Sequence, residues 1–133
     1  MTMKLKEVYK RFPSQRKCIE FLEEAIWENS PSCPYCTSKY VTGFKNEDRY
    51  HCNKCNTSFG VTVGTIFHRT RCDLQKWFLA IILTQENKIS SRQLGDLLEV
   101  TKDTAWLMTN KIAANKIFAS HIFSKLSKQI KTV

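Results

Sequence analysis

The chain has 133 residues, which allows one small domain or two very small ones and excludes a single large core. Four Gly and three Pro are too few for a fibrous or disordered chain, and no stretch approaches the ~18 apolar residues of a membrane span. The formal charge of +9 is unevenly placed. Residues 1–30 carry six Lys or Arg against five acids, and residues 31–71 carry six against Glu47 and Asp48. No acid follows Asp103, whereas Lys111, Lys116, Lys125, Lys128 and Lys131 do. Such asymmetry attracts polyanions; a solvated basic face that aids solubility is the plainer alternative.

Met1 to Phe12 has lysines but no apolar run, so no signal peptide is expected there. A cytoplasmic, nucleoid-associated location is the expectation, and in a reducing compartment cysteine pairs favour metal over disulfides. Residues 14–27 read as an amphipathic helix capped by Ser14, with Cys18, Phe21, Leu22, Ala25 and Ile26 on one stripe. Residues 33–67 read as short strands. Tyr40 to Phe44 and Arg49 to His51 flank a polar turn at Asn46-Glu47-Asp48, and Ser58 to Phe67 is rich in Thr, Val, Ile and Phe. From Asp73 the period becomes helical, with Leu74, Trp77, Phe78, Ile81 and Ile82 in register. Ser90 and Gln93 have capping-box spacing, Leu94, Leu97 and Leu98 make a short apolar face, and Thr101 caps a further helix with Ala105, Met108 and Ile112 inward. Phe118, Ile122, Phe123, Leu126 and Ile130 extend the helical pattern, and Phe118, Ile122 and Phe123 offer a dimer seam. The expected fold is a small α+β one: an N-terminal helical segment over 1–30, a ribbon over 31–71, and a helical region with a helical or irregular tail over 72–133.

Cys33-Pro34-Tyr35-Cys36 and Cys52-Asn53-Lys54-Cys55 are separated by fifteen residues. Each Cys-x-x-Cys turn aims two sulfurs at one point, and two such turns close a tetrahedral site with no position left for water. One structural Zn2+ on Cys33, Cys36, Cys52 and Cys55 is therefore expected, worth roughly 10–16 kcal/mol of apparent binding energy. A region too small to fold on its own core needs that help. His51 reads as a strand residue and Cys18 as core. Cys72 reads as a connector residue, although a thiol ahead of a helix N-terminus can be acidified.

Residues 90–112 have the pattern of a helix-turn-helix, in which the second helix enters the major groove and the first braces it; a helical hairpin that only packs is the plainer alternative. Gly95 takes the close-approach position and Ala105 faces it, with Leu94, Leu98, Val100 and Met108 between. The outward residues are Thr101, Lys102, Asp103, Trp106, Leu107, Asn110 and Lys111. Asn110 suits adenine, Lys102 suits phosphate or guanine, and Arg92 and Lys111 suit the backbone. Trp106 and Leu107 would touch thymine methyls, or else belong to the core or to a partner interface. Trp27 and Trp77 read as core. Lys54, Arg69 and Arg71 are candidate ribbon contacts to DNA.

Certain words occur in a specific order: Arg11-Phe12-Pro13, Cys18-Ile19-Glu20-Phe21-Leu22, Cys33-Pro34-Tyr35-Cys36, Thr62 to His68, Gln75 to Ile81, Ser90 to Leu94, and Thr104-Ala105-Trp106. In these the chain resembles the region that precedes the DDE-type catalytic domain in zinc-ribbon insertion-sequence transposases of bacteria. The resemblance implies a short helix, a zinc ribbon and a helix-turn-helix, with double-stranded DNA as partner and a homodimer or a full-length transposase as further partners. Two departures stand out. Thr37 and Asn56 follow the cysteine pairs where the family usually has Gly in a left-handed conformation, which β-branched Thr adopts poorly. The recognition helix, commonly arginine-rich in the family, offers Leu107, Asn110 and Lys111. A DDE nuclease needs separated carboxylates to hold its metal ions, and no carboxylate here matches those positions. The expectation is therefore a sequence-specific DNA binder, not an enzyme, that recognises element ends or an operator; a protein-interaction module or regulator of a full-length transposase is the alternative.

Overall fold

The computed structural model describes residues 4–28, 30–44, 48–68, 72–86 and 88–131. Its fold is small α+β, and the chain divides into two compact units, Ser14–Thr70 and Met1–Pro13 with Arg71–Val133. The units do not follow the three consecutive segments read from the sequence. The N-terminal segment contains two helices, α1 (Leu5–Arg11) and α2 (Gln15–Trp27), which fall in different units.

In the unit Ser14–Thr70, the Ser14 side chain accepts from the Lys17 amide and so caps α2. Glu28 closes the helix with φ 48, its amide donating to Glu24 O. Cys18, Ile19, Leu22 and Ala25 are buried, whereas Phe21 and Ile26 of the expected stripe are half-buried. Three strands follow, β1 (Val41–Gly43), β2 (Tyr50–Cys52) and β3 (Thr57–Phe59), antiparallel in the order β1-β2-β3. Cys52 in the middle strand pairs with Val41 on one side and Thr57 on the other. The Asn46-Glu47 part of the expected hairpin turn lies outside the described residues.

The strand-like run Ser58 to Phe67 is strand only as far as Phe59, which corrects the sequence reading. Beyond it, Val63 N donates to Gly60 O, Thr65 N to Thr62 O and His68 N to Thr65 O, a series of turns. Thr65 Oγ1 also donates to Thr62 O at 2.6 Å and accepts from Phe67 N at 3.2 Å. Such local hydroxyl bonds compete with a strand ladder, and Gly64 takes φ +80. These turns still bury Val61, Ile66 and Phe67.

The second unit is built around α3 (Leu74–Glu86). Nine of its residues are buried, far more than the one stripe expected, because α1, α4 (Ser91–Leu98), α5 (Lys102–Ala114) and α6 (Lys116–Lys131) all pack on it. A helix apolar on every side is a central one. Its one buried polar side chain, Gln75, donates to Phe12 O at 2.8 Å, and Phe12 packs edge-on to Phe78 with centroids 5.1 Å apart. Tyr9 adds a bond to Asp73. The helical tail is a separate helix: Asn115 interrupts it, its side chain donating to Lys111 O. Ala119, Ile122 and Leu126 of α6 are buried in this unit, so Ile122 is core and not part of an exposed dimer seam. Ile130's side chain lies outside what is described.

Candidate metal centre and nucleic-acid interface

The four ribbon cysteines converge. Their sulfurs all lie within 4.8 Å of one another, the group of three or more ligand side chains that can share one ion among the described residues. Cys33 Sγ is 3.6 Å from Cys55 Sγ, and Cys36 Sγ is 3.5 Å from Cys52 Sγ. A disulfide would bring sulfurs to ~2.05 Å. A tetrahedral ion with bonds of ~2.3 Å to sulfur sets its ligands ~3.8 Å apart. The spacing therefore fits a closed metal site shared across both turns, and such a four-thiolate set suits zinc.

Each turn is locally determined. Thr37 N donates to Cys33 O and Asn56 N to Cys52 O, both at 2.9 Å. Thr37 and Asn56 take φ 62 and φ 55, the left-handed conformation that the sequence comparison with glycine foretold. Amides point inward at sulfur, Tyr35 N to Cys33 Sγ at 3.4 Å and Cys55 N to Cys52 Sγ at 3.5 Å. The Cys55 and Lys54 amides push the Cys52 thiol down to about 6 against its burial. At Cys36 the Ser38 amide lowers the value, but burial and the neighbouring sulfurs outweigh it and push the thiol up to about 12.

An aromatic shell supports the cysteines and was only partly foreseen. Trp27 meets Tyr50 and Phe59 edge-on at 5.2 and 5.8 Å, and Tyr50 stacks on Phe59 at 6.0 Å. These rings pack against buried Cys33 and Cys52, each pair worth about 0.5–1.5 kcal/mol beyond area burial. Tyr50 donates to Glu23 Oε2 at 2.8 Å, and burial together with that bond pushes its phenol up to about 12. The alternation of Tyr50 and Cys52 along one strand was the available signal. His51 is a β2 residue outside the sulfur group, Cys18 is buried, and Cys72 is half-buried just ahead of α3.

The α4–α5 pair is equally well determined by local residues. Ser90 and Gln93 form the full capping box, and Thr101 accepts from Thr104 N. Glu99 (φ 58) ends α4, and Val100 N donates to Gly95 O at 2.9 Å. The atoms nearest a β-carbon placed on Gly95 belong to the backbone of this turn, at Val100, Thr101 and Lys102. Leu94, Leu98, Ala105, Met108 and Ile112 are buried; Val100 is half-buried, and Leu97, expected inside, is 39% exposed. Thr101, Lys102, Asp103, Asn110 and Lys111 are all exposed, as is Arg92 on α4. Trp106 and Leu107, each 55% exposed, are not core. Lys54 is exposed between Cys52 and Cys55, while Arg69 and Arg71 lie outside the described residues. No helix among the described residues is long and apolar enough to cross a membrane.

Residues 13–58, from the helix ahead of the ribbon to its third strand, match the transposase zinc-ribbon domain of the IS1595 type. The chain thus carries a transposase-type zinc ribbon. Over 100 residues it is 31% identical to an uncharacterised protein in transposable element ISH50 of Halobacterium salinarum. That similarity covers 73% of this chain and 34% of the relative, so the chain spans about a third of the curated protein it matches. No solved structure matches it.

Proposed function

We propose that this chain is a sequence-specific double-stranded DNA-binding protein of transposable-element origin, folded around one structural Zn2+, that recognises element ends or an operator without itself catalysing strand transfer. The carrying observation is the polarity of α5. Ala105, Met108 and Ile112 are buried on one side, and Lys102, Asp103, Trp106, Asn110 and Lys111 are presented on the other. In this reading α4 and α5 are a helix-turn-helix with α5 in the major groove. The transposase-type ribbon and the relative in ISH50 support the transposable-element origin.

The test is selection of binding sites from a random duplex library at physiological salt, using zinc-loaded protein and a variant with serine at all four ribbon cysteines. An enriched motif that the variant fails to select supports the proposal. A folded, zinc-bound protein that enriches nothing counts against it. The exposed Trp106 and Leu107 favour one other reading, a docking surface for a protein such as a full-length transposase, which such a null result would leave standing.

A further inference from the structure

The ribbon sheet has a second face, turned away from the sulfurs. Side chains alternate across a strand, and in β2 Tyr50 and Cys52 face the aromatic shell while His51 faces the other way, opposite Thr42 of β1 and Ser58 of β3. Thr42 and Phe44 share that outer face at alternate positions while Val41 packs inward, and the ladder continues to Tyr40, whose carbonyl accepts from Asn53 N at 3.0 Å. The side chains confirm the sharing. Asn53 Nδ2 donates to Thr42 Oγ1 at 2.9 Å, the Phe44 and His51 rings approach to 6.3 Å, and the Arg49 guanidinium sits 5.9 Å above the Phe44 ring. Two aromatics are thus held out of the core, Tyr40 at 71% and Phe44 at 39% exposure. Asp48, next to Arg49 in the chain, is paired with Arg16 at 2.9 Å.

We infer that this outer face is a nucleic-acid site distinct from α5, and that it takes an unpaired, single-stranded segment. An exposed ring next to the Arg49 guanidinium and the Asn53 amide matches a polyanion that also offers flat apolar faces. Duplex DNA hides its base faces in the stack, so a ring on a sheet surface has nothing to stack on there; an unpaired base does. Tyr40 is the principal platform because it is the more exposed ring, whereas the Arg49 guanidinium already lies over a face of Phe44. Arg49 and His51 then lie along the strand where the phosphates would pass.

The zinc-loaded full chain is titrated into fluorescein-labelled oligothymidine of about 12 nucleotides and, separately, into a labelled duplex, with anisotropy as readout. Tyr40→Ala and Phe44→Ala are each expected to weaken oligothymidine binding about tenfold, Tyr40→Phe to retain it, and none of them to alter duplex binding. Asn110→Ala should leave oligothymidine binding intact, so failure here and failure of the α5 reading are separable. Zinc content of each variant shows that the ribbon is folded, and Arg49→Gln gives an independent reading should an alanine variant lose its metal. Undiminished oligothymidine binding by Tyr40→Ala overturns the inference, and so does an equal loss on single strand and duplex. Tyr40-dependent binding of polyglutamate with none of oligothymidine also overturns it and assigns the face to a protein.

Discussion

A β-carbon added to Gly95 would lie 3.0 Å from the carbonyl oxygen of Val100. The same Val100 amide donates to Gly95 O at 2.9 Å, so the turn is fastened to the helix at the point where it comes nearest. Neither partner can retreat without breaking that bond, and the orientation of α5 follows from it.

Gly95→Ala should therefore destabilise the protein despite the better helix propensity of alanine. Alanine gains ~1 kcal/mol in a helix interior, while overpacking against fixed backbone costs about 1–3 kcal/mol. A net loss of about 1 kcal/mol is expected for alanine and more for valine, measured by urea unfolding. A stabilised Gly95→Ala would mean that the turn can move aside.

Thr37→Gly should act in the opposite direction. Thr37 holds φ 62, where a β-branched residue pays for its side chain, and its amide must stay there to reach Cys33 O. Relief of left-handed strain is worth roughly 1–2 kcal/mol, partly offset by the greater chain entropy of glycine. Zinc competition against a chelator should show a gain of about 1 kcal/mol for Thr37→Gly and a smaller one for Asn56→Gly, since Asn tolerates φ 55 better.

What could be read in advance was what neighbours in sequence decide. The Ser90–Gln93 box, the Thr101 cap, the Ser14 cap and the left-handed residues after each cysteine pair depend on a few adjacent positions. The metal centre was legible for the same reason, as each Cys-x-x-Cys turn is a local structure. Features set by distant partners were not. Helix α1 is short, and its ties include the Gln75 bond to Phe12 O, just past its end, and the Tyr9 bond to Asp73, each more than sixty residues away. Gln75 looks like a surface residue until that buried bond is seen. Leu97 has the right period for the core but the packed helices do not cover it, and the β-rich run after Phe59 yields to threonine turns.

Metal affinity should fall in acid in two stages. Thiolates bind zinc and thiols do not. Cys52 is lowered from an ordinary 9.0 to about 6, so its contribution is complete above the ordinary value and lost as pH falls through about 6. Cys36, raised to about 12, gives up its proton only when the metal arrives, so affinity already rises with pH in the neutral range. Chelator competition between roughly pH 5 and 8 should show log affinity steepening by about one proton below pH 6. A constant slope would remove Cys52 as the thiolate held ready.

Under the proposed DNA-binding role, base readout and backbone contact on the α4–α5 face predict different losses. Asn110 is exposed on α5 and has the amide geometry to engage adenine from the major groove, whereas Arg92 is exposed near the start of α4 and can hold phosphate. Asn110→Ala should cost about 1–3 kcal/mol on a selected site and little on random duplex. Arg92→Ala should weaken both alike and reduce the slope of log affinity against log salt by about 0.9, the value for one phosphate contact. Titrations of each variant against both duplexes at several salt concentrations separate the two roles. Equal losses on both duplexes for Asn110→Ala would mean that this residue positions the helix and reads no base.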